Sequence, residues 1–432
     1  MLNHSSRVFV TGFGAITPGG ATLEATWASI LAGQVCTHES KQYDLSTWSH
    51  KISGCIDDVA LTSLLPDKKL SKVISRQDAF GIHAAIQAVE HSQCLTYRDG
   101  LSVDAQIEFN EKTGVFVGSP GNKYYQQYDF LPLIAKSGDN MHAFASDLMN
   151  EVHPMWLLRI LPNNVLAYTG ITCGFKGINH NITNHAVGGM QAIIEGYHAI
   201  AMGQAERVVV VAYDVGAEPQ ALYYYQHLGL ISPTAVKPFD ASHDGTILSE
   251  GACAMVLESE ASARARGAMC HAEILGGVSQ SEMSGLYSIE EDGHALSLLM
   301  KRLLDEKKKP ASNLDFVVAH GNGSKKSDVS EALAIERVFA GCNVPVTAFK
   351  WSMGHTLTAS GVLDGVLSIQ AMKQGCLPGI ANLTQVATDC AVLNVSQKTR
   401  EFNAQKSSCM VINRGFAGMN ACLLLSSCEP IL

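Results

Sequence analysis

Apolar and polar positions follow two alternating patterns along the chain. Apolar runs rich in β-branched residues stop at small residues, which predicts buried strands. These runs are RVFVTGFGAI (Arg7–Ile16), TGVFVGS (Thr113–Ser119), ERVVVVAYD (Glu206–Asp214), LDFVVAHGNGS (Leu314–Ser324), GACAMVLES and SCMVINRGFAG. Helical periodicity lies between them, at Gln77–His91, Gly189–Met202, Ser327–Phe339 and Ser360–Lys373. Strands that alternate with helices predict a layered α/β fold, in which ligands bind beyond the carboxyl ends of the strands.

A break in composition divides the chain into two halves of similar size. The break lies in ESEASARARGAMCHAEIL (Glu258–Leu275), which is typical of an exposed helix and turn. We therefore expect one unit over residues 1–258 and another over residues 259–432. Each half contains a strand that ends in a candidate catalytic turn, so an internal duplication is expected.

Composition and charge exclude several classes of protein. With 47% hydrophobic residues, 16% charged residues and a net charge of −9, the chain has material for a large core but no overall basic field for nucleic acid. No apolar stretch approaches the roughly 20 residues of a membrane span, and no signal peptide is evident. The twelve Cys contain no CxxC pair, so reduced thiols are expected rather than disulfides or a metal site. A cytoplasmic location is the corresponding expectation.

The stretch NITNHAVGGMQAIIEGYHAIAMGQAERVVVVAYD (Asn181–Asp214) reads as a strand, a tight turn, a long helix and a second strand. Enzymes mount nucleophiles at the start of a buried helix in this layout, because the helix end and its backbone N–H groups favour negative charge. The turn itself, His185 to Gly189, contains neither Cys nor Ser. It therefore has the form of a nucleophile platform without a nucleophile.

Three polar residues stand at junctions between predicted strands and loops. His320 follows a β-branched run and precedes Gly321, His355 follows Gly354, and Lys350 ends the run VPVTAFK. Two neutral imidazoles that donate N–H groups to one oxygen would stabilise a developing enolate or oxyanion. A nearby Lys favours the neutral form of a His because it adds positive charge.

Five motifs, in order over nearly the whole length, resemble the β-ketoacyl-acyl-carrier-protein synthases. They are RVFVTGFGAITPGG, PFDASHDGTILSEGACAMVLE, HGNGSKKSD, KWSMGHTLTASGVLD and NRGFAGMN. The resemblance is greatest to the elongating synthases of fatty-acid and type II polyketide systems. It implies a thiolase-like, duplicated, layered α-β-α-β-α fold. It also implies an acyltransferase that condenses malonyl carrier protein with an acyl thioester, with loss of carbon dioxide.

The resemblance gives five positions a role. Ala186 falls on the slot of the nucleophilic Cys, which takes the acyl chain in this family. His320 and His355 take the slots of the two His that stabilise the enolate, and Lys350 takes the Lys slot. Phe416 takes the gatekeeper slot, and its N–H is expected to form the oxyanion hole with that of Ala186. No metal or other cofactor is implied.

Partners also follow from the resemblance. The acyl and malonyl groups are carried on the phosphopantetheine of an acidic acyl carrier protein. The segment KLSKVISRQDAF (Lys69–Phe80) resembles the family's basic docking helix, which gives Lys69, Lys72 and Arg76 a role in carrier binding. The aromatic, Met-rich segment Asn122–Val165 corresponds to the acyl tunnel and dimer interface. An identical chain and a related ketosynthase-fold chain both remain open as the partner in the dimer.

The chain departs from the family pattern at its centre. Ala186 carries a methyl group that cannot be acylated, and His185 stands where a small residue is common. Asn322, Arg414 and Met419 replace a usual Thr, Phe and Thr. A thiol restored at position 186 is expected to accept an acyl group.

Three explanations for the missing thiol remain open. An active synthase could have had its Cys replaced by Ala on purpose, and the intact His–His–Lys set favours this explanation. Alternatively, the chain is naturally Cys-less, like the chain-length-factor partners in ketosynthase heterodimers. A Cys-less decarboxylase is the third explanation. Cys173 is interpreted as a packing residue, and the chain length, starter unit, product and pathway stay undetermined.

Overall fold

A computed structural model describes residues 6–57, 59–121 and 127–428. Most strands belong to one mixed sheet, and two short pairs stand apart from it. The strands are β1 (Val8–Ile16), β2 (His38–Glu39), β3 (Ile52–Ser53), β4 (Thr113–Gly118), β5 (Asn179–Ile182), β6 (Arg207–Val215), β7 (Glu250–Ser259), β8 (Ala272–Ser281), β9 (Phe316–Val318), β10 (Pro345–Thr347), β11 (Cys376–Leu377), β12 (Asn394–Val395), β13 (Arg400–Glu401), β14 (Ser408–Gly415) and β15 (Met419–Ser426).

Helices alternate with these strands, as the sequence pattern predicts. The α-helices are α1 (Leu23–Leu31), α2 (Arg76–Ser92), α3 (Cys94–Asp99), α4 (Val103–Glu111), α5 (Gln127–Ser137), α6 (Met141–Glu151), α7 (Trp156–Ile160), α8 (Asn164–Cys173), α9 (Gly188–Ala201), α10 (Pro219–His227), α11 (Glu260–Ala265), α12 (His294–Glu306), α13 (Lys325–Phe339), α14 (Lys350–Met353) and α15 (Ser360–Gln374). Short 3₁₀ turns lie at Leu61–Ser63, Lys68–Lys72, His185–Val187, Ala311–Asn313, Leu357–Ala359, Thr388–Cys390 and Ala404–Lys406.

Strand order in the main sheet reveals the duplication. One half has the order β5-β4-β6-β7-β1, and the other has β10-β9-β14-β15-β8 with β12 added at its edge. Numbered within each half, both orders read 3-2-4-5-1. The fifth strand of each series, β7 or β15, is antiparallel to both of its neighbours. The α/β fold and its duplicated plan are therefore confirmed. The boundary at residues 258 and 259 stays a prediction, and it falls at the end of β7.

Helices cover both half-sheets and also fill the space between them. On one side α2 packs on β1, β6 and β7, and on the other α12 packs on β8 and β15. Between the halves, α9 contacts strands of both series, and α15 contacts α9, β7 and β14. Both central helices are almost entirely buried. This gives five layers, with α9 and α15 in the middle.

The two central helices begin in the same way. Each follows a 3₁₀ turn whose first residue, His185 or Leu357, has a positive φ of 48° or 44°. A Cβ added at Gly189 would lie 2.3 Å from the carbonyl oxygen of Thr358, and one at Gly361 would lie 2.9 Å from the Cβ of Met190. Glycine at these two positions lets the beginnings of α9 and α15 touch.

Two predicted strands differ from the structure. The strand predicted over Leu314–Ser324 is only β9, because the backbone N–H groups of His320 and Gly321 donate to the Glu331 carboxylate instead of a strand ladder. The run SCMVINRGFAG is β14 followed by a turn into β15.

Within the segment Asn122–Val165, residues 122–126 lie outside the described residues, and α5, α6 and α7 form most of the remainder. Nowhere in the described chain is a helix long and apolar enough to cross a membrane.

Replacement of Gly189 by Ala is expected to destabilise the fold. The new methyl group would press on the backbone of the facing turn, and overpacking of this kind costs about 1–3 kcal/mol in free energy of unfolding. Gly100→Ala is the matched control, because its Cβ would meet nothing closer than 3.5 Å. Urea unfolding of both variants measures the effect, and equal stability of the two would contradict the close helix contact.

Candidate active site

The first candidate His stands just beyond β9. Two bonds to Glu331 hold its backbone: the carboxylate accepts the N–H groups of His320 at 2.7 Å and of Gly321 at 2.9 Å. The ring Nδ1 of His320 accepts the backbone N–H of Arg414, at the end of β14, at 3.3 Å. The imidazole is buried. Its orientation is therefore fixed by groups from the neighbouring strand end and from α13.

The second candidate His lies two residues before the turn that starts α15. The ring Nδ1 of His355 accepts the backbone N–H of Leu357 at 3.2 Å. The His355 N–H donates to the carbonyl of Ile247 at 2.7 Å, which anchors the residue to the opposite loop. The rings of His320 and His355 are 5.1 Å apart between centroids and nearly perpendicular. The structure thus brings the two predicted His residues together.

The tautomer of both rings follows from these bonds. A backbone N–H can only donate, so Nδ1 of His320 and of His355 must be an acceptor without a proton. Each neutral ring therefore has its proton on Nε2. The pKa of each imidazole lies well below its usual value, first because burial disfavours the charged form and second because the charge of Lys350 is near. The sequence prediction named only the second of these causes.

Lys350 is itself buried beside the two rings. Its Nζ lies 2.7 Å from a carboxylate oxygen of Asp364 on α15, and both side chains are almost fully inaccessible. Breaking a buried pair on one side is strongly destabilising, because the other charge is left without compensation. The pair therefore holds the positive charge of Lys350 in place behind the imidazoles.

Ala186 occupies the 3₁₀ turn that leads into α9 and is fully buried. The turn lies at the N-terminal end of a buried helix, as the sequence predicts. Cys173, interpreted from the sequence as a packing residue, ends α8, and burial raises its pKa to about 12. It stays a neutral thiol at ordinary pH.

His185, next to the position of the missing nucleophile, is half-buried and has a hydrogen-bond partner at both ring nitrogens. Its Nδ1 accepts the backbone N–H of Phe416 at 3.3 Å, and its Nε2 lies 2.6 Å from the hydroxyl of Tyr225. The ring stacks on that of Phe416, with centroids 4.2 Å apart and planes 11° apart. Burial lowers the pKa of His185 to about 4, so this ring is neutral too.

The expected oxyanion hole is altered by this arrangement. The sequence assigned one of its two donors to the N–H of Phe416, and in the structure that N–H already donates to His185. The Phe416 donor is therefore not free to bind a substrate oxygen in this conformation.

Two cavities meet at the rings of His185, Tyr225 and Phe416. One, of about 230 Å³, is also lined by His320 and His355, and we call it the histidine cavity. The other, of about 480 Å³, is the second cavity. Its further lining includes Gln77, Asp214, Glu218, Leu357 and Thr358. Ala186 is in neither set of lining residues, so at this turn it is His185 that faces the cavities.

The predicted docking residues separate into two groups. Lys69 and Lys72 are exposed, and they lie in the 3₁₀ turn Lys68–Lys72 rather than on α2. Arg76 begins α2, and its guanidinium donates to the buried carboxylate of Glu250 at 2.9 and 3.0 Å. The predicted single basic helix is therefore interrupted, and Arg76 is committed to an internal ion pair.

Several residues of the site were not predicted from the sequence to have a functional role. Arg414 is a buried guanidinium that donates to Glu282 at 2.8 Å and to Asn420 at 2.9 Å, while its backbone orients His320. Glu331 could have been suspected from its place eleven residues after His320, on one face of a helix. The contacts of His185 have no local signal, because its partners are 40 and 231 residues away. Within the described chain, no group of three or more metal-ligating side chains is present.

Comparisons with known proteins show which family the chain belongs to. Residues 5–263 match the N-terminal domain of β-ketoacyl synthases, and residues 271–384 match the C-terminal domain. The chain is 26% identical to 3-oxoacyl-[acyl-carrier-protein] synthase 2 of Vibrio harveyi, over 97% of this chain and 98% of that protein. It is 24% identical to the tetracenomycin polyketide synthase ketoacyl synthase alpha subunit of Streptomyces glaucescens, over 99% and 98%.

A solved structure, the ishigamide ketosynthase/chain length factor, has the same fold, with a TM-score of 0.86. The two sequences are 24% identical, and the match covers 98% of this chain and 100% of that chain. Together with the two matched domains, the duplicated fold and the paired His residues, this places the chain in the β-ketoacyl synthase family.

Proposed function

We propose that this chain is a β-ketoacyl-acyl-carrier-protein synthase subunit that performs the malonyl half of a decarboxylative condensation. The observation that carries the proposal is the pair of neutral imidazoles, whose Nδ1 atoms accept backbone N–H groups and whose Nε2–H groups remain for a ligand. They line one cavity, 5.1 Å apart between ring centroids. Fatty-acid or polyketide synthesis is the proposed setting.

The chemistry follows from where charge develops. When a malonyl thioester loses carbon dioxide, the electron pair of the broken C–C bond becomes an enolate whose charge is mainly on the thioester oxygen. His320 and His355 would donate their Nε2–H groups to that oxygen. Both hydrogen bonds are stronger in a buried site, because water is excluded and the local dielectric constant is low. Ala186 offers no thiol to hold an acyl group, so carbon–carbon bond formation does not follow on this chain.

An inactivating Cys→Ala substitution at position 186 would explain an otherwise intact His–His–Lys set. The alternative is a naturally Cys-less subunit, comparable to a chain length factor, that works beside a ketosynthase. One observation favours the alternative: the site departs from the family pattern at more than the nucleophile. Arg414, which replaces a usual Phe, forms a buried hydrogen-bond network with Glu282 and Asn420. A single Cys→Ala exchange at position 186 would not account for this network.

The proposed partners are an acyl carrier protein and a second ketosynthase-fold chain, identical or related. The carrier would bring the malonyl group on its phosphopantetheine arm. Apolar side chains on α5 to α8 support a protein partner, because Leu131, Ile134, Met149, Leu157 and Ile171 are 48–73% exposed. Lys69 and Lys72 are the basic residues that we propose for carrier docking.

Decarboxylation should depend on both imidazoles. We expect His320→Ala or His355→Ala to slow carbon dioxide loss from malonyl carrier protein by about 10²–10³, as for removal of one oxyanion donor. Mass spectrometry of the carrier measures the rate, and His227→Ala, an exposed His on α10, is the control. Rates that are equal in all four proteins would exclude the assigned roles.

The same assay tests the charge state of the rings. Because the pKa of both imidazoles lies well below 6.5, neither ring should titrate between about pH 6 and about pH 8, and a change of rate there should follow Glu331, whose pKa burial raises to about 7. A rate that rises or falls through an apparent pKa near 6.5 and disappears in the His variants would show that the rings titrate normally.

Carrier binding should depend on Lys69 and Lys72 but not on a second pair of lysines. Each exposed ion pair contributes up to about 1 kcal/mol, so reversal of both charges should weaken binding about tenfold or more at low salt. Lys301→Glu with Lys398→Glu is the control, since both are exposed and lie elsewhere. Fluorescence anisotropy of a labelled carrier gives both affinities, and equal loss in the two double variants would point to net charge alone.

A further inference from the structure

His185 is held in a conformation that non-glycine residues rarely adopt. Its φ of 48° lies in the left-handed region, where a Cβ crowds the backbone. The ring nevertheless has a partner at each nitrogen and a stacked ring on one face. A strained backbone combined with a fully bonded side chain indicates that the position of this ring is over-determined by its surroundings.

The ring belongs to a stack of three. The imidazole lies against Phe416 at 4.2 Å, Phe416 lies against Tyr225 at 5.3 Å, and all three planes are within 25° of parallel. These are the residues that line both the histidine cavity and the second cavity. The stack is therefore the wall between the two cavities.

The imidazole also accepts a hydrogen bond from an N–H group that acyl transfer needs as a donor to the thioester oxygen. The backbone N–H of Phe416 points at Nδ1 of His185, and a thioester oxygen bound there would have to replace this acceptor. A Cβ added at the neighbouring Gly415 would lie 3.4 Å from the same Nδ1, so the ring fills the space at the end of β14.

We propose that His185 is the residue that excludes an acyl thioester from this site. Its Nδ1 accepts the backbone N–H of Phe416. Together with Tyr225, its ring closes the passage from the histidine cavity to the second cavity. This inference rests on the proposed function, because it explains why a chain with the malonyl machinery would hold no acyl group. It also implies that the missing thiol at position 186 is only one of two blocks. A thiol restored at that position, which the sequence predicted would accept an acyl group, should therefore be acylated only slowly while His185 is present.

The test compares three forms of the full-length chain: Ala186→Cys, His185→Gly with Ala186→Cys, and His227→Ala with Ala186→Cys as the matched control. Glycine is chosen for position 185 because it accepts a positive φ without strain. The probe is octanoyl-pantetheine. The thiol introduced at position 186 loses its proton and attacks the thioester carbonyl. The new S–acyl bond forms as the bond between the acyl group and pantetheine breaks, and pantetheine leaves as a thiol that has taken up this proton.

Peptide mass spectrometry reads the result without interference from the native thiols. The tryptic peptide of residues 177–207 contains position 186 and none of the twelve native Cys. We expect the His185→Gly double variant to be acylated about a hundredfold faster than Ala186→Cys alone, the scale of one oxyanion donor. The control double variant should behave like Ala186→Cys.

Equal acylation of Ala186→Cys and the His185→Gly double variant, whether fast or absent, would overturn the proposal. If the glycine variant fails to fold, His185→Asn with Ala186→Cys replaces it, since Asn also tolerates a positive φ but lacks the aromatic ring. Malonyl carrier decarboxylation by the unaltered chain is measured in parallel. Its absence would remove the proposed function, whereas equal acylation with decarboxylation intact would remove only the role of His185.

Discussion

The contact between the beginnings of α9 and α15 is the constraint on which the rest of the site depends. The two helices touch at Gly189 and Gly361, where the absence of a side chain leaves just enough room for the facing backbone and Met190. Each helix is preceded by a 3₁₀ turn with one residue at positive φ, so the duplicated halves deliver two equivalent turns to one point. One turn places His185 at the cavities, and the other begins two residues after His355. A larger side chain at either glycine would separate the two turns.

Around that contact, backbone amides determine the chemistry of the rings. The N–H groups of Leu357, Arg414 and Phe416 each donate to the Nδ1 of a different His at the site. Burial keeps all three imidazoles neutral, and Lys350, held in place by Asp364, puts its positive charge near two of them, His320 and His355. Two of the rings therefore present Nε2–H groups that suit an enolate. The third uses the same bonding pattern to occupy the place of an acyl thioester.

Much of this could be predicted from the sequence, and the rest could not, for identifiable reasons. Alternating apolar runs predicted the layered fold, and short motifs identified His320, His355 and Lys350, because motif residues and their glycines are neighbours in the chain. Only His320 follows a strand as predicted, since Lys350 begins α14 and His355 lies between α14 and a 3₁₀ turn. The orientation of His185 depends on Phe416, 231 residues away, and no local pattern encodes such a contact. Arg76 looked like a surface cation for the same reason, since its partner Glu250 is 174 residues distant.

The proposed enolate chemistry requires that His320 and His355 are neutral with their protons on Nε2. Nitrogen-15 NMR of histidine-labelled protein at about pH 7 tests it most directly, with the signals assigned from His320→Gln and His355→Gln variants. For both residues we expect a protonated Nε2 and an unprotonated Nδ1. An imidazolium signal, or a proton on Nδ1 of either ring, would contradict it.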